Sequence, residues 1–391
     1  MRFALEALQA NDGDCLLLHY CSGAAGAAED AHVLVLIDGG PRGVYRSVLK
    51  PRLDQLRGEL RGQSPLDLRM VMVSHIDGDH ISGIVDLFRS LDELRNQGAD
   101  PFCRIRTLWF NSFEQVHGVA HPTVMAATAA SLGGPPIRGL DEMTQAVVAS
   151  VPQGNSLRHF ATQLVIPFNE GAGGPLVISP PVGQLKVPIA DGLTFTILAP
   201  AKAQLDRLAH DWTTARAAHP ADPAAQTADY LNITVPNMSS IVVVAEAAVP
   251  GQASTRMLLT GDARGDTILN ALDVAGLSTN GRSHFDLLKV QHHGSSHSTT
   301  QDFFERVTAD RYVISGNGKH GNPHPDALRW LSAARHGQPF EAFLTNRTGV
   351  DDFGPMLDAF LAEEARAEPG HSYRFRRDPD PSLIVELMAP H

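Results

Sequence analysis

The stretch Ser74-His75-Ile76-Asp77-Gly78-Asp79-His80 places two histidines and two aspartates within six residues. The residues before it, 68–73, form a mostly apolar run that predicts a buried strand. In residues 81–88, which follow, apolar side chains recur at helical spacing and predict a helix. The cluster is therefore expected on a loop between the carboxyl end of a strand and a helix, where ligand sites collect in open sheets.

These four polar side chains are candidates for a metal site. Imidazole and carboxylate groups are ligands of zinc, manganese and iron, and several of them converging on one loop can hold an ion. The alternative is a solvated turn in which Asp79 caps the helix that follows. A single His or Asp would favour that alternative, whereas four ligand-type residues behind a buried strand favour the metal site.

The same stretch resembles the His-x-His-x-Asp-His loop of the metallo-β-lactamase superfamily, with Asp77 in the second His position. A His-x-Asp-x-Asp-His loop is typical of the metallo-hydrolase domain of ComEC-type DNA-uptake proteins, which the sequence resembles most. Further motifs occur in the family's order, and the resemblance covers about residues 2–350. It implies an α/β fold in which two mixed β-sheets lie between helix layers, the αββα sandwich.

The resemblance also implies a set of metal ligands. His75 and Asp77 belong to one site, and Asp79 and His80 belong to the other. Asp262, which ends the stretch Leu-Leu-Thr-Gly-Asp, bridges the two ions. The resemblance further assigns a supporting role to Asp38, in Asp-Gly-Gly after a predicted strand, where it orients the metal loop through hydrogen bonds. Without the resemblance, Asp38 is equally well explained as part of a strand-ending turn.

A second pair of histidines follows another predicted strand, in Lys-Val-Gln-His-His-Gly-Ser at 289–295. By resemblance, one of them completes the site of Asp79, His80 and Asp262. His292 is slightly favoured as the ligand and His293 as a proton-transfer or supporting group, and the sequence leaves their order open. Lys289 is a candidate for neutralising an anionic substrate, unless it faces solvent.

Other polar residues are expected near the site. Where the wider superfamily has a His, this chain has Asn237 and Ser240, so the first metal site gains only Asn237 or water. The loop 316–325 carries His320 and His324 and either contacts substrate or is a proline-rigidified connection to a helix. Three further histidines are expected to be ordinary surface or pocket residues: His117, His121 and His159.

Composition restricts the class of partner and the compartment. The net charge of −11 gives no electrostatic footprint for broad nucleic-acid binding, although a local basic groove would be compatible with it. Three cysteines without a Cys-x-x-Cys pair predict reduced thiols and a cytoplasmic protein. The sequence shows no signal peptide and no long apolar run, so no membrane span is expected.

The chain is predicted to form a single domain, 1–391, with an insertion at about 112–183 that shapes the substrate pocket. A mobile loop is expected at about 205–232, around a stretch rich in Pro, Ala and Asp. Within the insertion, helical patches are predicted at 122–132, 141–151 and 156–165.

These residues predict a metal-dependent hydrolase with two divalent ions, zinc or manganese. Bound metal supplies hydroxide at neutral pH, and carboxylate ligands favour manganese more than an all-His site does. Asp79 or His293 would move a proton, and Lys289 or Lys319 would neutralise an anionic substrate. The leading hypothesis is a phosphodiesterase acting on nucleic acid or, in better accord with the acidic charge, on a small phosphodiester. The alternatives are hydrolysis of a carboxylic ester, lactone or β-lactam, and a non-catalytic module that keeps the metal.

Overall fold

The computed structural model describes most of the chain, and the following account is confined to residues 1–23, 32–60, 64–112, 115–116, 151–218, 236–248 and 251–388. These residues form one sheet of seven strands and one of eight.

The first sheet has the order β15-β1-β2-β3-β4-β5, and β6 also pairs with β4. Its pairs are antiparallel from β15 to β3 and parallel from β3 to β5 and β6. The strands are β1 (Arg2–Leu8), β2 (Leu16–Cys21), β3 (Val33–Ile37), β4 (Leu66–Met72), β5 (Cys103–Ile105), β6 (Leu108–Trp109) and β15 (Ser382–Met388).

The second sheet has the order β14-β13-β12-β11-β10-β9-β8-β7. Its pairs are antiparallel from β7 to β10 and parallel from β10 to β14. The strands are β7 (Leu185–Ala190), β8 (Leu193–Ala199), β9 (Val242–Ala247), β10 (Thr255–Leu259), β11 (Ser283–Lys289), β12 (Val307–Ile314), β13 (Phe340–Leu344) and β14 (His371–Phe375).

Helices cover the outer faces of the sheets. A π-helical turn, Tyr45–Leu49, leads into α1, in which Pro51 occupies the first turn and needs no backbone N–H partner. The helices are α1 (Lys50–Glu59), α2 (Gly78–Asn96), α3 (Val151–Gln163), α4 (Lys202–Ala218), α5 (Gly265–Val274), α6 (Gln301–Arg306), α7 (Pro325–Ala334) and α8 (Phe353–Ala367).

Three apolar cores show how the layers stack. Because side chains alternate along a strand, β1 sends Phe3, Leu5 and Ala7 into a core between the sheets, where they meet Phe195 and Val243 of the second sheet. A second core joins the outer face of the first sheet to α1, α2 and α3. A third joins the outer face of the second sheet to α5, α6, α7 and α8. The predicted αββα sandwich of two mixed sheets between helix layers is therefore confirmed.

The two sheets repeat one topology. Each sheet contains a series of five consecutive strands, β1 to β5 in the first and β8 to β12 in the second. In both series the first two pairs of neighbouring strands are antiparallel and the last two pairs are parallel. The third and fourth strands of each series are followed by candidate site residues. They are Asp38 after β3, the loop 74–80 after β4, Asp262 after β10 and the histidine pair after β11.

The insertion and the loop predicted from sequence are only partly described. The helix predicted at 156–165 is present as α3. The patch predicted at 122–132 and all but the last residue of the patch predicted at 141–151 lie outside the described residues, with His117 and His121. His159 lies on α3 and is exposed. Residues 205–218 of the loop predicted to be mobile belong to α4, and 219–232 lie outside the described residues. Among the helices described, none combines the length and the apolar character that crossing a membrane requires.

Candidate metal centre

The loop 74–80 connects β4 to α2, as the sequence predicts. Asp77 is the N-cap residue, with extended φ and ψ of −64° and 144°, but its side chain makes no capping hydrogen bond. Asp79 lies in the first turn of α2, where the positive end of the helix dipole favours a carboxylate. Neither carboxylate serves as a cap, so both remain available to the site.

Four side chains converge from the two sheets. Asp79 and His80 come from the loop after β4, Asp262 follows β10, and His293 follows β11. One ligand atom of each lies within 4.8 Å of the others. His80 Nε2 is 3.3 Å from Asp262 Oδ1 and 3.3 Å from His293 Nε2, and His293 Nε2 is 3.3 Å from Asp79 Oδ2. We call these four residues the His80 cluster.

The other oxygen of Asp262 faces a different pair of imidazoles. Asp262 Oδ2 lies 3.8 Å from His75 Nε2 and 3.6 Å from His292 Nε2, and His75 Nε2 lies 3.4 Å from Asp77 Oδ2. Asp262 thus presents one oxygen to the His80 cluster and one to His75 and His292, which is the arrangement of a carboxylate between two ligand groups.

The histidine pair is arranged differently from the sequence-based preference. His293, not His292, lies beside Asp79, His80 and Asp262. Both histidines have positive φ, 46° and 55°, in a tight turn after β11 that directs the two rings to different oxygens of Asp262. Residue spacing alone does not reveal this turn, so the order could not be derived from sequence.

Hydrogen bonds decide which imidazole nitrogens carry protons. The carboxylate of Asp38 accepts from the Ser74 amide (2.8 Å), the Ser74 hydroxyl (2.7 Å) and Nδ1–H of His80 (2.9 Å). Because the Ser74 proton is committed to Asp38, Ser74 Oγ accepts from Nδ1–H of His75 at 3.0 Å. A neutral imidazole with a proton on Nδ1 has its lone pair on Nε2, so both rings direct a lone pair into the site.

The donor set fits a metal ion. His80 Nε2 and His293 Nε2 face each other at 3.3 Å, and two lone pairs at that distance repel unless a cation or a proton lies between them. Among the residues that the structure describes, His75 Nε2 and Asp262 Oδ1 are buried without a hydrogen-bond partner. Buried polar atoms normally have partners, so orphaned nitrogen and oxygen atoms that converge indicate a cation site.

The electrostatics of the His80 cluster point the same way. Burial alone would lower the pKa of His80 and of His293, but Asp262 and the other nearby carboxylates outweigh it and raise both pKa values. Burial would likewise raise the pKa of Asp262, but the imidazoles hold it well below its usual range. A carboxylate that stays ionised and favours positively charged imidazoles supplies negative charge that a divalent cation would balance.

A second group, Asp14, Asp38 and His80, also lies within ligand distance. The position of the proton on His80 and the ion pair of Asp14 argue against a metal ion in this group. Nδ1 of His80 donates to Asp38, so its lone pair is on Nε2 and belongs to the His80 cluster. Asp14 is already neutralised by Lys289 Nζ at 2.8 Å. This group therefore supports the His80 cluster from behind.

Lys289 does not have the position that we predicted for it. Its side chain is 1% exposed and lies between the sheets, where Nζ pairs with Asp14 and donates to the Val290 carbonyl at 3.1 Å. A buried, paired ammonium does not meet a substrate. Its partner Asp14 is a site residue that sequence reasoning missed. The sequence signal at Asp14 is an Asp after Asn-Asp-Gly, immediately before a strand, and that pattern by itself predicts only a turn.

Asn237 and Ser240 lie behind the ligands. The Asn237 amide is 3.2 Å from Nδ1 of His292, on the ring edge away from Asp262, and Ser298 Oγ is 2.7 Å from the same nitrogen. If Nδ1–H of His292 donates to Ser298 Oγ, the lone pair of the ring lies on Nε2, the nitrogen that faces Asp262. Ser240 is buried beside Gly261, which precedes Asp262.

The loop 316–325 lies against the histidine turn. The His324 amide donates to the Gly294 carbonyl at 3.0 Å, and the His324 ring accepts from the amide of Asp326. Lys319 Nζ pairs with Asp12 at 2.6 Å. His320 is exposed and has a positive φ of 56°. The loop therefore lies beside the site, with one of its two histidines engaged as a helix cap.

Fold and site together define a class: an αββα sandwich with a His/Asp cluster where the carboxyl ends of strands from both sheets meet. The sequence matches no known protein family and no curated protein. Among solved structures, a metallo-β-lactamase, MIM-1 from Novosphingobium pentaromativorans, is similar at 14% identity and a TM-score of 0.29, over 93% of this chain and 89% of that one. At that distance the match defines neither family nor activity, and the class rests on the sheets, layers and cluster described above.

Proposed function

We propose that the protein is a metal-dependent hydrolase that cleaves a small phosphodiester. The observation that carries the proposal is the pair of oxygens of Asp262, each facing a different pair of imidazole nitrogens. Two divalent ions, manganese or zinc, would be held by His75, Asp77 and His292 on one side and by the His80 cluster on the other, with Asp262 shared. When bound, the metal supplies a water of lowered pKa and stabilises charge on the substrate oxygens.

Residues of the chain have distinct tasks in this proposal. Asp79 has a side chain that is 30% exposed, whereas the His80 and Asp262 side chains are at most 3% exposed, so Asp79 lies on the substrate side. Its carboxylate is placed to take the proton that the attacking water releases. His80 and Asp262 are buried ligands, held by Asp38 and by the turn after β10.

Two features support a phosphate substrate over a carboxylic ester, lactone or lactam. Asp77 makes the donor set harder than an all-His site, which favours manganese or magnesium, the usual partners of phosphate oxygens. The loop 316–325 brings Lys319 and two histidines to the side of the site. The net charge of −11 disfavours a long nucleic acid and leaves a small phosphodiester as the better candidate.

The test is hydrolysis of bis(p-nitrophenyl) phosphate by metal-stripped protein refilled with manganese or zinc. The hydrolysis rate of Asp262→Ala and of His80→Ala is expected to fall by more than the roughly 10–100-fold that removal of an outer-shell partner causes. Asp86→Ala is the matched control, because Asp86 lies on the same helix as His80 and pairs only with Arg89 among the contacts described. If the protein binds metal but does not hydrolyse this substrate, the phosphodiesterase proposal is wrong. Esters, lactones and β-lactams would then be the substrates to test next.

A further inference from the structure

The loop between β1 and β2 brings a buried carboxylate from the first sheet to three groups of the second. Asp14 is 1% exposed, and its Oδ2 pairs with Lys289 Nζ at 2.8 Å. Its Oδ1 accepts from the hydroxyl of Ser315 and lies 3.6 Å from Nδ1 of His293. Asp14 is thus the point at which β2, β11 and β12 meet behind the candidate metal centre.

His293 Nδ1 is a buried nitrogen without a hydrogen-bond partner among the described residues. A His that binds metal through Nε2 carries its proton on Nδ1, and that proton needs an acceptor. Asp14 Oδ1 is a nearby carboxylate oxygen and is less than 1 Å beyond ordinary hydrogen-bond distance, about 2.9 Å.

The same arrangement already exists on the other imidazole of the His80 cluster. Nδ1–H of His80 donates to Asp38 at 2.9 Å while Nε2 faces Asp262. The two carboxylates differ in how they are held: Asp38 is fixed by the amide and hydroxyl of Ser74, and Asp14 by the ammonium of Lys289. Each imidazole therefore has an acidic group behind it.

We propose that Asp14 is a positioning residue for metal binding by His293, and that Lys289 is its permanent counter-charge. Asp14 takes the Nδ1–H of His293, orients the ring and makes Nε2 a stronger donor to the metal. Lys289 allows that carboxylate to stay charged in a buried place, where an unpaired charge would be costly. The inference rests on the metal site of the proposed function but not on its substrate.

The experiment is a calorimetric titration of metal-free protein with zinc chloride and with manganese chloride. In the double variant Asp14→Asn with Lys289→Met both charges are removed together, so no buried ion is left unpaired. We expect the metal to bind about 10–100-fold more weakly, with the melting temperature of the metal-free protein little changed.

The matched control is Asp12→Asn with Lys319→Met. That ion pair starts from the same β1–β2 loop and joins it at 2.6 Å to the loop 316–325, but no imidazole contact to Asp12 is described. Metal affinity is expected to remain at the wild-type value in the control. Wild-type affinity in the Asp14/Lys289 variant, or an equal loss in the control, would overturn the proposal.

A measurement on the wild-type protein decides the matter if the double variant does not fold. In zinc-loaded protein with ¹⁵N-labelled histidine, His293 should show an Nδ1 proton that is shifted downfield and protected from exchange. A His293 Nδ1 proton that exchanges freely would refute the role of Asp14. Absence of phosphodiesterase activity in protein that binds zinc would reject the proposed function while leaving this inference standing.

Discussion

At the scale of single residues, the site is imposed by the backbone around it. Asp38, His292 and His293 all have positive φ, between 46° and 57°, a region that costs non-glycine residues roughly 1–2 kcal/mol each. Fixed hydrogen bonds maintain it, such as His292 N–H to the Gly261 carbonyl at 3.1 Å. Such strain persists where the surroundings over-determine it, so the fold itself holds these three side chains in place.

Close contact between backbone segments is a second feature that shapes the site at the scale of residues. A Cβ built on Gly13 would lie 1.9 Å from the carbonyl oxygen of Asp79, and one on Gly83 would lie 1.9 Å from that of Gly39. The amide of Asp14 reaches the Asp79 carbonyl at 3.2 Å across this contact. Glycine at these points lets the loop of Asp14 touch the backbone of Asp79 and lets the turn after β3 touch α2.

Gly13→Ala should therefore displace residues of the site, although Gly13 itself has no side chain in it. The obstructing atom is backbone, so either the loop of Asp14 or that of Asp79 must move, at a cost of about 1–3 kcal/mol. We expect a lower melting temperature and weaker zinc binding by calorimetry.

The control for that substitution is Gly58→Ala in α1, where a Cβ meets nothing within 4 Å. Because alanine favours helix over glycine by about 1 kcal/mol, it should leave stability equal or higher. Unchanged zinc affinity in Gly13→Ala would show that the close contact does not shape the site.

Sequence reasoning found seven polar residues that the fold brings together, because strand ends and helix starts are local signals. They are His75, Asp77, Asp79, His80, Asp262, His292 and His293. It missed Asp14 and misjudged Lys289 because their pairing joins positions 275 residues apart along the chain. The interpretation of Asp38 as a support stays a prediction that its bonds to Ser74 and His80 favour.

At the scale of elements, a buried charge network fixes α1 to the outer face of the first sheet. Glu6 of β1 is 0% exposed and binds Arg52 of α1 at 2.7 Å and His19 of β2 at 2.8 Å. Burial would raise the pKa of Glu6, but its hydrogen bonds and charge interactions with His19 and Arg52 outweigh burial and lower it to about 2. Three elements thus depend on one carboxylate staying ionised.

This network makes stability depend on pH. The folded-state pKa of Glu6 lies below its ordinary 4.5, so the stabilisation is complete above that pH and is lost as pH falls toward 2. The lowered pKa of Glu6 corresponds to about 3 kcal/mol of folding free energy at neutral pH. Glu6→Gln should lower the melting temperature markedly at pH 7 and progressively less below pH 4.5, as measured by calorimetry.

Glu386→Gln provides the comparison for the pH series. Glu386 pairs with Arg2 in the same sheet, but both side chains are partly exposed. The substitution should therefore reduce the free energy of unfolding by less than about 1 kcal/mol. An equal deficit of Glu6→Gln at pH 7 and pH 3 would contradict the assigned pKa.

Most elements were predictable because their apolar periodicity is strong, as in α2 and β11. Strands β7 and β13 and helices α6 and α8 were not anticipated. The sequence of β13, Phe-Glu-Ala-Phe-Leu, has no strand alternation, and its extended form comes from parallel pairing with β12 and β14. Residues 103–109 form two short strands, β5 and β6, rather than one continuous strand.

At the scale of the whole molecule, the His80 cluster lies on the junction of the two sheets. Asp79 and His80 belong to the first sheet's loops, and Asp262 and His293 to those of the second. A metal ion held by all four would tie together segments more than 180 residues apart. It would stabilise the folded state, because such a site does not exist in the unfolded chain.

Metal removal should consequently lower the melting temperature. An ion at about 100 times its Kd stabilises a protein by about 2.7 kcal/mol, which is a shift of several degrees. We expect EDTA to reverse the increase that zinc or manganese produces in differential scanning calorimetry. Asp262→Ala should show neither the increase nor its reversal, and a wild-type protein indifferent to both metals would contradict the cluster as a metal site.

The pairing of β1 with β15 has a consequence for synthesis. Within the part of the chain that the structure describes, one of the two edges of β1 is covered by residues 382–388, which are translated some 370 residues after it. Throughout that interval the nascent chain carries an open edge on an apolar strand, the kind of surface that recruits other chains. The first sheet is thus completed only after residues 382–388 have been translated, and the yield in a cell should depend on chaperone capacity. A premature stop codon before Ser382 would release chains that aggregate edge to edge.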